Sequence, residues 1–192
     1  MKKITILLVG SLLATLTFAQ QFPLQSQYQF NYSSINPAAV GENEYYSTRS
    51  SFRRQWVGLT DNPIATQLFA VTKGFGNNGL GITVFSDQTG GAFNKSGMAV
   101  SYSHKVSFAS SDLFFGVSAG GAKINLENIN DPALINTDDM IAEATFGAYY
   151  MIKDFKIGIS IPGLLNTNME ISNSNENTLY SHFYSMISYN YR

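Results

Sequence analysis

From about Asn43 onward the apolar residues recur at every second position, and a period of two confines the chain to β-strands. In "LFFGVSAGGA", Leu113, Phe115, Val117 and Ala119 share one face, and Phe114, Gly116, Ser118 and Gly120 the other. "GMAVSYSH" alternates Met98, Val100 and Tyr102 with Ala99, Ser101 and Ser103. "IAEATFGAYYMI" sets Ala142, Ala144, Phe146, Ala148 and Tyr150 against Glu143, Thr145, Gly147 and Tyr149. The second face is small and polar, not charged. Charged residues make up only 13% of the chain, about half the roughly 25% of a soluble domain. A secreted β-sandwich also alternates in two, but its wet face should carry more charge. The pattern therefore favours an all-β antiparallel transmembrane barrel over the sandwich.

Eight alternating runs are expected, at about 43–57, 65–73, 79–86, 97–107, 113–123, 141–152, 155–161 and 179–191. Most are about 8–13 residues, close to the 9–11 that a tilted strand needs to cross a membrane. Longer connections (58–64, 87–96, 124–140, 162–178) alternate with shorter ones (74–78, 108–112, 153–154), as in barrels with short periplasmic turns and long external loops. Residues 20–42 then lie in the periplasm and the first strand runs outward. Tyr45, Tyr46, Trp56, Tyr149, Tyr189 and Tyr191 are expected in the interfacial girdles. Eight strands enclose a lumen that side chains fill, so the sheet either closes as a packed barrel or belongs to a larger one.

Ahead of the strands, "MKKITILLVGSLLATLTFAQ" has two lysines, an apolar run and a small residue at Ala19, the order of a signal peptide over residues 1–19. Its removal takes away Lys2 and Lys3 and moves the net charge from −1 to −3. No nucleic-acid partner is expected, because phosphate binding needs clustered positive charge. The chain has no cysteine, so packing or a membrane must supply the stability that disulfides often give exported domains.

No enzyme, cofactor or metal site is expected. "GFGNNG" (Gly74–Gly79) matches a dinucleotide fingerprint but is followed by a strand where the fingerprint needs a helix, so Asn77-Asn78 reads as a hairpin turn. Glu127, Asp131, Asp138 and Asp139 lack the spacing and the glycine of a calcium loop. His104 and His182 have no partner at ligand or triad spacing.

Between leader and strands stands "QYQFNYSSINPAAVG", and "RRQWVGLTDNP" follows the first strand. Together these resemble the PorP/SprF outer-membrane proteins of the type IX secretion system of Bacteroidetes. The matching positions are Tyr28, Phe30, Asn31, Ile35, Asn36, Pro37, Ala38 and Gly41, then Arg53 or Arg54, Gln55, Trp56, Gly58, Asn62 and Pro63. Asp131-Pro132-Ala133 and "FKIGISIPGLLN" look like later landmarks of the same family. Members of the family usually continue with further strands beyond the position of Arg192, so the resemblance implies a short or truncated member. The resemblance implies a non-enzymatic outer-membrane protein that supports secretion or surface attachment of adhesins and, in some members, gliding. The partners it implies are outer-membrane lipid, periplasmic type IX components and adhesin cargo. A small-molecule or hydrophobe channel is the alternative in the membrane; a secreted structural β-domain is the alternative outside it. For residues 20–42 two roles stay open. The Asn-Pro segment is either a strap that seals the periplasmic mouth or a docking surface for periplasmic machinery.

Overall fold

The computed structural model describes residues 31–60, 62–90, 93–126, 137–165 and 181–190. The expected leader, Tyr28, Phe30, the 127–136 connection and Tyr191 lie outside them. Two short 3-10 turns, η1 (Tyr32–Ser34) and η2 (Pro37–Gly41), precede eight strands. The strands are β1 (Ser47–Gln55), β2 (Ile64–Phe75), β3 (Asn78–Thr89), β4 (Phe93–Ser107), β5 (Asp112–Leu126), β6 (Thr137–Ile152), β7 (Phe155–Pro162) and β8 (Tyr184–Tyr189). All pair antiparallel with their sequence neighbours in the order β1 to β8, and the sheet curls into a half-barrel. Among the described residues β1 and β8 are not paired with each other.

All eight expected strands are present, with several boundaries moved: β1 and β8 are shorter than expected, and the 124–140 connection shortens because the β5–β6 ladder runs to Leu126 opposite Thr137. The expected 87–96 loop shrinks to 90–92, because the β3–β4 ladder continues through Asp87 opposite Lys95 to Thr89 opposite Phe93. Opposite charges facing across a ladder stabilise it, so strand wins over loop there. The β2–β3 turn sits one residue early: Phe75 pairs with Asn78, leaving Gly76-Asn77 as the two-residue loop. Gly76 has φ +59°, which a glycine adopts without the steric penalty a side chain would bring.

The alternation sorts the sheet into two faces. Ile82, Val84, Met98, Val100, Val117, Ile159 and their neighbours cover the convex face and stay exposed, Val84 at 48% and Met98 at 54%. A continuous apolar surface over so many strands is far beyond what a water-facing protein carries, and it fits the lipid-facing band of a membrane sheet. The concave face holds glycine, serine and threonine, with Lys95 and Glu143 joined at 2.5 Å. Lys95 is 6% exposed, so the pair is shielded, and loss of either partner would strand a charge. The concave face is not polar throughout. Ala122, Ile124 and Ile141, packed with Phe85 and Phe93, form an apolar tier toward the long-connection end. Tyr149 also points inward and is buried at 1% exposure, not in a girdle as its place near a strand end suggested. It packs on Phe114 and Tyr32, where it finds both apolar area and a polar partner.

The face assignment has a direct test. Val84→Arg, on the convex face, should destabilise the detergent- or lipid-folded protein by about 2–4 kcal/mol, and Thr83→Arg, one residue away and inward, by less than half of that. Urea unfolding in phospholipid vesicles measures both; equal losses would remove the lipid-facing assignment.

Candidate functional site

The residues before β1 do not trail away from the sheet. They cross its concave face at right angles to the strands, near the end where the short turns lie. Pro37 excludes the helical region for Asn36, which takes φ −121°, ψ 107° and caps η2. The Asn36 Oδ1 accepts from Ala38 N–H at 3.0 Å, the local bond that makes asparagine a good cap. Pro37 then starts η2, where its missing N–H costs nothing.

The other end of the Asn36 carboxamide reaches the wall. Its Nδ2 donates to the carbonyls of Ala148 on β6 at 3.1 Å and Ile159 on β7 at 3.0 Å, and to Tyr32 Oη at 2.8 Å. Two amide hydrogens are shared among three acceptors, and the side chain is fully buried. Such proximity of segment and wall is possible only where the wall has no side chains. Tyr32 Oη sits over Gly158, Asn36 over Gly147, Pro37 and Ala38 over Gly116, and Gly41 over Gly79. A methyl group on any of these four wall glycines would overlap the segment. At the far side Gly74 N–H on β2 donates to the Asn43 carbonyl at 2.7 Å. The segment thus steps from β7 to β2, one strand after another, as a strap.

Two further ties hold it. Glu42 pairs with Lys156 on β7 and accepts from Tyr149 Oη at 3.2 Å. Arg49 on β1 donates to Ser33 Oγ at 3.4 Å, reaching the strap from the opposite edge of the sheet. Burial raises the Tyr32 phenol above its ordinary pKa; the hydrogen bond from Asn36 opposes that shift and the Glu42 charge adds to it. The phenol therefore stays neutral at physiological pH and serves Asn36 as an acceptor. Beyond the strap the concave space is open, about 1290 Å³, with Ser101, Ser118, Thr145 and the Lys95–Glu143 pair on its wall.

The motif residues named in the sequence fall into two groups at opposite ends of β1. Asn31, Asn36, Pro37 and Gly41 are buried in the strap. Arg54, Gln55, Trp56, Gly58, Asn62 and Pro63 lie at or beyond the other end of β1, in the β1–β2 connection, a strand length of roughly 30 Å away. Arg54 faces the convex side and Gln55 the concave side. Trp56 (φ 61°) and Gly58 (φ 83°) turn the chain through left-handed backbone and leave Trp56 60% exposed, where an interfacial aromatic belongs. Asn62 N–H donates to Thr60 Oγ1 at 3.1 Å, which closes the turn locally. The structure therefore does not bring the two groups into one site. What the residue types alone did not show is the tie made by Glu42 of the strap and the wall beneath it, Ser103 and the four glycines. The available signal was glycine recurring on the concave phase of β3, β5, β6 and β7.

A curled antiparallel sheet with an apolar convex face, a small polar concave face and a strap seated inside defines a membrane protein of the β-barrel type. The chain belongs to the type IX secretion system membrane protein family PorP/SprF, whose family model matches residues 17–192. No curated protein and no solved structure is significantly similar to it.

Close packing of strap on glycine has a measurable consequence. Gly116→Ala places a methyl on the Pro37–Ala38 backbone and should cost about 1–3 kcal/mol. Gly121→Ala, on the same strand but opposite face, meets only the Ile141 carbonyl at 3.4 Å and should change stability by less than about 0.5 kcal/mol. Equal unfolding midpoints for the two variants would contradict the strap's seat.

Proposed function

We propose that the chain is a non-enzymatic outer-membrane component of the type IX secretion system, exported by residues 1–19, that supports secretion or surface attachment of adhesins. In a gliding member of the Bacteroidetes the cargo would include the motility adhesin. The observation that carries this reading is the family match along 17–192, joined to a sheet whose convex face is apolar across β3 to β7. Outer-membrane lipid contacts that face, cargo and periplasmic type IX components the two ends. In this reading residues 20–42 lie on the periplasmic side and strands fill 43–192.

For the Asn-Pro segment, burial of Asn36 to Gly41 favours the strap role over docking, since a docked partner needs exposed groups. The exposed Glu44, Tyr45 and Tyr46 just beyond it are the residues left for a periplasmic contact. A channel for small solutes is the second reading. It draws on the open concave space and its Lys95–Glu143 pair.

Deletion of the gene should abolish surface display of a cognate adhesin while leaving solute entry unchanged. Unchanged display with lost solute entry would move the assignment to the channel. Replacing Asn36-Pro37 by Ala-Ala separates the roles of the segment: a lowered unfolding midpoint of the heat-modifiable band marks a strap, and loss of display with that midpoint unchanged marks a docking surface.

A further inference from the structure

The wall beneath the strap offers more than the strap uses. Ser103 Oγ is fully buried between Gly41 and Gly79 and has no hydrogen-bond partner. Ser160 Oγ, 2% exposed, lies directly across the ladder from Gly147, where Asn36 rests, and is also unpartnered. Buried hydroxyls are normally paired, so two unmet hydroxyls beside one track are a mismatch between wall and occupant. The track itself, a band without side chains across β7, β6, β5 and β3, admits a main chain at van der Waals contact. Recognition along it combines backbone contact with three side chains: Asn36 between β6 and β7, the Tyr32 phenol over Gly158, and Glu42 on Lys156.

We propose that the glycine track is a polypeptide-binding groove and that residues 31–43 are its exchangeable resident. Its ligand class is a peptide segment in which Asn-Pro is followed by small residues and then by a carboxylate for Lys156, supplied by a second polypeptide. The asparagine satisfies the Ala148 and Ile159 carbonyls; the small residues pass Gly116 and Gly79. Backbone groups that reach Ser103 and Ser160 favour the incoming segment over the strap. Displacement from the track would then open the end that the strap closes. This deepens the closing role given to the strap above.

The experiment uses the full chain with a protease site in place of the exposed Glu44–Tyr46, folded in detergent micelles and then cleaved. The probe is a fluorescein-labelled synthetic peptide of residues 31–43. Saturable uptake is expected after cleavage, with chase by unlabelled peptide and at least about tenfold weaker competition by a peptide carrying Asn36→Leu. Uptake that does not saturate, or that the Asn36→Leu peptide blocks equally well, overturns the groove. A cleaved protein that keeps its strap on size-exclusion yet takes up no probe also overturns exchange, while closure by the strap stands. Unfolding upon cleavage overturns it as well, because the segment would then be integral to the sheet.

Discussion

The carboxamide of Asn36 sits where the strap, β6 and β7 meet, and the arrangement around it depends on that contact. One side chain caps η2, bridges two strands through their carbonyls and orients Tyr32. It can do so only because Gly147 and Gly158 leave the wall bare at that height. Asparagine suits the place because a neutral amide supplies donors and an acceptor together. Aspartate would bring a charge into a dry site and lose both donors. Leucine would fill the volume and leave the Ala38 N–H without its acceptor. The same contact has a geometric effect on the sheet. Glycines on four strands let the strap sink to the backbone, so the curvature must leave room for a second main chain in the lumen. Among the described residues the sheet is a half-barrel with β1 and β8 apart, and the strap lies within its curve.

Two solvents act on this sheet, and its alternation answers both. The convex residues gain by leaving water for lipid, and the concave residues gain by pairing with one another. Lys95 with Glu143 and Lys156 with Glu42 show the second arrangement at two heights. Each cation has its carboxylate on a different strand or on the strap, so each pair also fixes a spatial relation. The value of such pairs lies less in net stability, which desolvation largely cancels, than in the cost of every alternative register. Lys123 with Asp138, exposed at 3.0 Å near the long-connection end, is a weaker tie of the surface kind.

How much of this could be read in advance follows from the range of the interactions. The strands were legible because alternation is local: Leu113 to Gly120 declares its faces without reference to the rest of the chain. The boundaries that moved did so for cross-strand reasons, as at Asp87 and Lys95, whose pairing extends a ladder that neither residue announces alone. The Asn-Pro turn was legible for the same local reason, since proline restricts the residue before it. Its seat was not. Gly116 and Gly147 look like weak strand residues until Ala38 and Asn36 are placed over them. Tyr149 was misread as a girdle residue because its position near a strand end was visible and its partner Glu42, far away in the chain, was not.

Sequence separation also orders the assembly. Every strand pairs with its neighbour in the chain, so the ladders are built from hairpins whose loops close cheaply. The bonds from Asn36 to Ala148 and Ile159 span 112 and 123 residues. They cannot form before β6 and β7 exist, and the Glu42–Lys156 tie waits on the same hairpin. The strap precedes every strand in the chain, yet its ties to β6 and β7 form only after those strands do. An element that docks onto a preformed wall, through contacts absent from the wall's own ladders, can in principle leave that wall standing when it departs. The ladders from β1 to β8 contain no strap residue, and that independence of sheet from strap is the physical basis for treating the seat as a binding groove.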